Sequence, residues 1–226
     1  MFPFPIMAPV ESDQYFANVV SLLHLNGADG STTITDVIPG KTWTASGSAQ
    51  LDTAQSKFGG SSLSTGIAFD RISSADHADW DFGTGDFTVE FWVRHSSIAG
   101  FQTSIARGYT ATGDFLLQTG SGNGKWIVYM SGSAVATEST GTINQDQWYH
   151  IAVTRSGTTV NIWRDGTSVA SGTSAENLST NTVMSVSGDA GHVYSLVGWM
   201  DEVRITKGIA RYTANFTAPA APFLDW

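Results

Sequence analysis

Apolar and polar residues alternate along many short stretches of this chain, the period-2 signature of half-buried strands. In "DFTVEFWVRH" (86–95), Phe87, Val89, Phe91 and Val93 face one way, against Thr88, Glu90, Trp92 and Arg94. In "WYHIAVTRS" (148–156), Tyr149, Ile151 and Val153 oppose His150, Ala152 and Thr154. Further strand candidates are "VVSLLHL", "KTWTAS", "GIAFDRI", "GDFLLQT", "GKWIVYM" and "NTVMSVS". The run "TRSGTTVNIWRDGTSVAS" reads as two successive hairpins, with Ser156-Gly157 and Asp165-Gly166 as turn pairs. Short strands at near-regular spacing predict an all-β fold, a two-sheet antiparallel sandwich or a barrel. The single helical turn expected is Ile209–Tyr212, after Lys207-Gly208.

One stretch breaks its own pattern. In "GWMDEVRIT" (198–206), strict alternation puts Trp199, Asp201, Val203 and Ile205 on one face and Met200, Glu202, Arg204 and Thr206 on the other. The first set reads as the core side, yet it holds a carboxylate. A buried carboxylate without partners is too costly to keep, so Asp201 must be held by something.

Prolines mark the ends of the folded body. Pro3, Pro5 and Pro9 fall in the first nine residues and Pro219 and Pro222 in the last eight, with only Pro39 between. Proline cannot donate to a strand ladder and is excluded from central strands. The expected organisation is an extended Pro/Phe N-terminal arm, residues 1–17, then one body over 18–226 that ends in an extended tail. The arm carries Phe2, Phe4 and Ile6 between prolines, an apolar strap suited to attachment on a neighbouring subunit. Its alternative is a loose terminus.

Composition narrows the function classes. Hydrophobic content is 41% and charged content 14% over 226 residues, which suits a folded domain. Net charge is −9, and the 11 basic residues are scattered rather than clustered. That argues against nucleic acid and anionic membranes as partners. The absence of cysteine removes disulfides, thiol catalysis and thiolate metal sites. No apolar run approaches membrane-span length, and no basic residue precedes Lys41, so neither membrane insertion nor a secretory signal is expected.

Five stretches, taken in order, resemble a known family: "SLLHLNGADGSTTITD" (21–36), "AQSKFGGSSL" (54–63), "DFGTGDFTVEFWV" (81–93), "DQWYHIAVTRSGTTVNIWRDG" (146–166) and "GWMDEVRITKGIARYTANFTAP" (198–219). Together they are similar to the laminin-G-like branch of the concanavalin A-like jelly rolls. The resemblance implies a two-sheet antiparallel jelly-roll sandwich, often with a concave face used for binding. The ending "RYTANFTAP…APF" is similar to modules met in bacteriophage structural proteins.

The same resemblance implies a structural Ca²⁺ near the sheet edge. Calcium takes six to eight oxygens in irregular geometry. Asp201 and Asp29 are expected to share it, with Asp36 as a weaker third; the alternative is that Asp201 accepts loop amides or pairs with an arginine. Tryptophans in such a fold are first of all core material. Trp126, Tyr129 and Trp163 are the residues nominated for sugar stacking. The acidic run "FDRISSADHADWDFGTGD" reads either as a second cation site or as a solvated connector with Asp79 or Asp81 capping a turn.

Catalysis finds little support. The histidines show no metal spacing, and no G-x-S-x-G elbow occurs. Glucanases of this superfamily use two same-face carboxylates in an E-x-D-x-x-E pattern, whereas Glu90 stands alone on its strand. Glu90 is expected to pair with Arg94 or with a partner across the sheet. The expected function is non-enzymatic. It is that of a virion structural protein on the exterior of a bacteriophage: a capsid decoration, head-fibre or tail-associated module. The protein would contact other capsid or tail proteins through its arm or its "TAPAAPF" tail, form homo-oligomers and present loops to glycans. The alternative is an extracellular carbohydrate-binding lectin module.

Overall fold

The structure, a computed structural model, describes residues 12–66, 68–109, 111–120, 122–139, 141–189, 191 and 194–226. The attachment residues Phe2, Phe4 and Ile6 lie outside them. In chain order the strands are β1 (Val19–Leu23), β2 (Thr33–Ile34), β3 (Trp43–Ser46), β4 (Gln50–Asp52), β5 (Ser62–Thr65) and β6 (Arg71–Ser74). Next come β7 (Phe87–His95), β8 (Gln102–Arg107), β9 (Phe115–Thr119), β10 (Trp126–Met130) and β11 (Ser133–Thr137). The last are β12 (Trp148–Ser156), β13 (Thr159–Arg164), β14 (Thr167–Thr173), β15 (Met184–Val186) and β16 (Gly198–Lys207). Among the described residues no helix is long and apolar enough to cross a membrane.

The strands form two antiparallel sheets packed as a jelly-roll sandwich. Sheet A runs β14-β13-β12-β7-β16-β5-β4, and β1 pairs β16 beyond the reach of β5. Sheet B runs β11-β10-β9-β8-β15-β6-β3-β2. The core lies between them, where Phe87, Val89, Phe91 and Val93 of β7 meet Ile105, Phe115, Leu117, Trp126 and Val128 of sheet B. Full burial of each such side chain stabilises by about 1.5–3 kcal/mol. The Asp165-Gly166 turn has φ of +49° and +80°, the doubly positive pair a two-residue hairpin loop requires.

Three local expectations change. The register of β16 against β7 shifts between Asp201 and Arg204, and Glu202 has φ +51°. This bulge inserts one residue and reverses the side-chain phase. Met200, Val203 and Ile205 therefore enter the core, while Asp201 points to the outer face beside Trp92, its cross-strand partner on β7. "GIAFDRI" becomes a strand only at Arg71, because Phe69 sits at φ +71° with its ring 52% exposed. Ile209–Tyr212 forms no helical turn; Ile209 O accepts from Thr88 Oγ1 (2.9 Å), and Thr88 Oγ1 in turn accepts from Arg211 N (2.9 Å).

Those last bonds begin a cover. Residues 208–226 lie across the outer face of sheet A, where His150 and Trp163 meet Phe216 (5.8 Å each) and Phe223 is buried. The "TAPAAPF" tail thus packs on its own body rather than extending as a strap. Residues 12–17, expected in the arm, join this cover: Asp13 N donates to Trp226 O (2.9 Å), and the Asp13 carboxylate accepts from Arg204 and Arg211.

Candidate functional site

On the outer face of sheet A, Glu90 is fully buried and sits at the centre of a charge network. Arg204, its cross-strand partner, donates through Nε (2.9 Å) and Nη2 (2.8 Å), and Tyr212 OH donates to Oε2 (2.8 Å). His150 Nε2 lies 3.2 Å from Oε2. Burial alone would raise the Glu90 pKa; the charges of Arg204, His150 and Arg211 outweigh it and bring it to about 2. A glycosidase carboxylate must face its substrate, and this one is sealed under Tyr212.

The carboxylates nominated for calcium do not converge. Asp201 Oδ2 accepts from Lys57 N (2.7 Å) and Phe58 N (3.0 Å). Asp29 accepts from Thr53 N (3.1 Å) at an exposed loop. Asp36 accepts from Leu22 N and Ile38 N, and from Ser21 Oγ and Trp43 Nε1. Among the described residues no three His, Cys, Asp or Glu side chains are placed to hold a metal ion. Loop amides thus hold one oxygen of Asp201, and its Oδ1 is buried without a hydrogen-bond partner. The acidic run is likewise paired: Asp76 and Asp81 with Arg107 (2.8 and 2.7 Å), and Asp79 with Lys41 (2.8 Å).

The three nominated ring residues separate by strand phase. Trp126 is fully buried in the core against Phe91 and His95, and Trp163 lies beneath Phe216 with Nε1 donating to Thr154 Oγ1 (2.9 Å). Neither offers a ring face to a sugar. Tyr129, an odd number of residues from Trp126 on β10, points the other way and stays half-buried. It helps line a recess of about 120 Å³ on the outer face of sheet B, together with Phe101, Tyr109, Leu116, Gln118 and Gly132.

The rings converge there from both ends of β8. Phe101 precedes the strand on a loop tied by Gln102 Nε2 to Ser97 O (2.7 Å) and Ala99 O (3.2 Å). Tyr109 follows the strand in a turn held by Asp114 Oδ2, which accepts from Tyr109 N (2.8 Å) and Ala111 N (2.7 Å). Gly108 makes that turn possible: its φ is +76°, and a Cβ would meet Asp114 Oδ1 at 1.9 Å. Tyr194, placed by the bond of Thr103 N to its carbonyl (2.7 Å), bridges the two, 5.7 Å from Phe101 and 6.4 Å from Tyr109. Burial, then the neighbouring Tyr194 and Asp189, raise the Tyr109 pKa, so its phenol stays a donor near neutrality.

Gln118 on β9 also lines the recess; it is only 4% exposed, and its Oε1 is buried without a hydrogen-bond partner. Other buried polar atoms are unpaired as well, Asp201 Oδ1, Trp92 Nε1 and His95 Nδ1 among them; Gln118 is set apart by lining this recess. Sequence reasoning missed Gln118 because a polar residue between Leu117 and Thr119 carries no pattern of its own. It missed Phe101, Tyr109 and Tyr194 because they sit in loops; a stricter period-2 reading of "WIVYM" would have kept Tyr129 and dropped Trp126. Besides a recess of about 190 Å³ beside His24 and Leu51, two larger ones, of about 410 and 480 Å³, differ in kind. In the first, Arg204 and Arg211 are already paired with Asp13; the second is lined by hydroxyls and small residues between β11 and β14.

A family profile described as the concanavalin A-like lectin/glucanases superfamily matches residues 68–210. The chain belongs to that superfamily. Solved structures of concanavalin A-like shape resemble it over most of its length. The binding domain of Paraclostridial Mosquitocidal Protein 1 aligns with TM-score 0.69 and 15% identity over 88% of this chain, which spans about half (51%) of that one. Domain 4 of AbnA, a GH43 extracellular arabinanase from Geobacillus stearothermophilus solved with arabinotriose, aligns with TM-score 0.64 and 16% identity, over 85% of this chain and 94% of that one. Trypanosoma rangeli sialidase with sialic acid aligns with TM-score 0.63 and 15% identity, over 85% of this chain and 31% of that one. At such identities the likeness is one of fold. No curated protein matches the chain.

Proposed function

We propose that this concanavalin A-like domain is a non-catalytic glycan-binding module whose site is the aromatic recess on sheet B. The observation that carries the reading is the convergence of Phe101, Tyr109, Tyr129 and Tyr194 over a buried amide. Rings give apolar stacking surface and phenols give hydroxyl donors and acceptors, the pairing a sugar face and edge require. Domain 4 of AbnA, solved with arabinotriose, and the toxin binding domain, which share this shape, support the reading. The test is a glycan-array screen followed by calorimetry on the best ligand, for wild type and Tyr129→Ala. Binding by wild type, weakened at least tenfold in the variant, is expected; equal binding by both would move the site elsewhere. Binding is also expected to survive chelation, because Asp29, Asp36 and Asp201 are engaged in separate loop hydrogen bonds.

The setting proposed for this binding is the exterior of a bacteriophage particle, with attachment through Phe2, Phe4 and Ile6. What supports it is the resemblance of the "RYTANFTAP" ending; the tail itself is occupied on its own body. Deleting residues 1–11 should abolish particle incorporation and leave glycan affinity unchanged. Normal incorporation of the truncated chain would remove the arm from the account.

A further inference from the structure

Resting on the glycan-binding reading, we infer that the sheet B recess selects uncharged sugars and that Gln118 is its specificity-determining residue, its side-chain amide oxygen taking a hydrogen bond from a sugar hydroxyl. Three features of the recess lead there. Among the described residues its lining contains no charged side chain: Phe101, Tyr109, Leu116, Gln118, Tyr129 and Gly132. The carboxylate whose charge reaches Tyr109 is that of Asp189, in a chain of net charge −9. A sugar carboxylate or sulfate bound there would be desolvated with no cation among the described lining residues to receive it, a loss that neutral hydroxyls avoid.

The third feature is the amide itself. Gln118 lines the recess, and its Oε1 is buried and unpartnered. A buried polar atom in that state destabilises the folded protein. A ligand hydroxyl would remove the cost on binding, and a site built to hydrogen-bond a hydroxyl rejects ligands that cannot supply one.

The role predicts an opposite response of stability and binding. Gln118→Met keeps the volume and removes the acceptor. Its melting temperature should rise by about 2–4 °C, while affinity for a neutral oligosaccharide should fall about tenfold. A merely structural Gln118 would lower both or leave both unchanged. The experiment uses the full chain, titrated with lactose, arabinotriose and 3′-sialyllactose, for wild type, Gln118→Met and Phe101→Ala. Phe101 is 39% exposed, so its variant keeps the fold and reports ring stacking independently.

Neutral sugars bound by wild type, with the stability gain and affinity loss in Gln118→Met, are the expected result. Undiminished affinity in Gln118→Met would overturn the role of the amide, and tighter binding of 3′-sialyllactose than lactose would overturn the neutral class. Either leaves the glycan-binding reading standing. Absence of binding to any of the three sugars and to a broad array would overturn that reading and the inference with it.

Discussion

The two outer faces of this sandwich solve the same problem in opposite ways. Each sheet turns polar side chains away from the core, and each receives chain segments across it. On sheet A the buried charges find their partners within the protein: Glu90 takes Arg204, His150 and Tyr212, and Asp13 takes Arg204 and Arg211. On sheet B the loops bring aromatic rings and leave the Gln118 oxygen unpaired. Sheet A keeps unpaired atoms too, Asp201 Oδ1 and Trp92 Nε1 among them, but its charges are largely spent on its own chain. Sheet B sets an unmet acceptor in the lining of a ringed recess.

Breaking the covered face should have the largest effect. Arg204→Met leaves Glu90 with His150 and Tyr212 and leaves Asp13 with Arg211, and loss of one partner of a buried ion pair costs about 3–5 kcal/mol. Urea denaturation should read that drop; a change below about 1 kcal/mol would mean that water replaces the guanidinium and that the cover is loose. Next comes Phe223→Ala at the tail. Phe223 is buried, lies under the Arg204 guanidinium (3.9 Å) and donates its amide to Glu202 Oε2 (2.8 Å). The lost ring should cost about 3 kcal/mol and speed amide exchange in residues 208–226. Unchanged exchange there would show that Tyr212 and Phe216 hold the tail without it.

Smaller effects come from two buried groups titrating in opposite senses. Burial pushes the folded-state pKa of His95 from 6.5 down to about 3. Between those values the unfolded chain takes up a proton that the folded chain refuses, so His95 removes stability as pH falls below 6.5. Asp201 has the reverse sign. Burial first, then the neighbouring Glu202 charge, lift its pKa from 3.8 to about 7 against the pull of the loop amides. The folded chain protonates first, so this group adds stability as pH falls from 7 toward 4. Each slope is at most about 1.4 kcal/mol per pH unit. Relative to wild type, His95→Phe should gain stability on acidification and Asp201→Asn should lose its acid-side gain. Parallel curves for all three proteins would contradict both assignments.

The least effect on stability is expected on sheet B. Phe101→Ala removes a partly exposed ring and should shift unfolding by no more than about 0.5 kcal/mol while weakening sugar binding. A loss of stability comparable to that of Phe223→Ala would make sheet B a second packed face and would erase the contrast.

The division between what was legible and what was not follows from range. Alternation in β7 and β12, the Asp165-Gly166 turn and the burial of most tryptophans are properties of neighbours in sequence, and hydrophobicity at period 2 determines them. The sequence by itself therefore determined the sheets, the family and the inward face of nearly every long strand. A one-residue bulge was enough to defeat it at Asp201, since nothing local marks where a strand changes phase. Tertiary structure alone decided that the tail would close sheet A, that Asp29, Asp36 and Asp201 would go to separate amides, and that Phe101, Tyr109, Tyr129 and Tyr194 would meet. These outcomes depend on contacts between residues far apart in the chain, where loop geometry and the competition for buried hydrogen bonds choose the partner. Gln118 is the plainest case: its type is ordinary, and only the fold leaves its oxygen buried with nothing to bind.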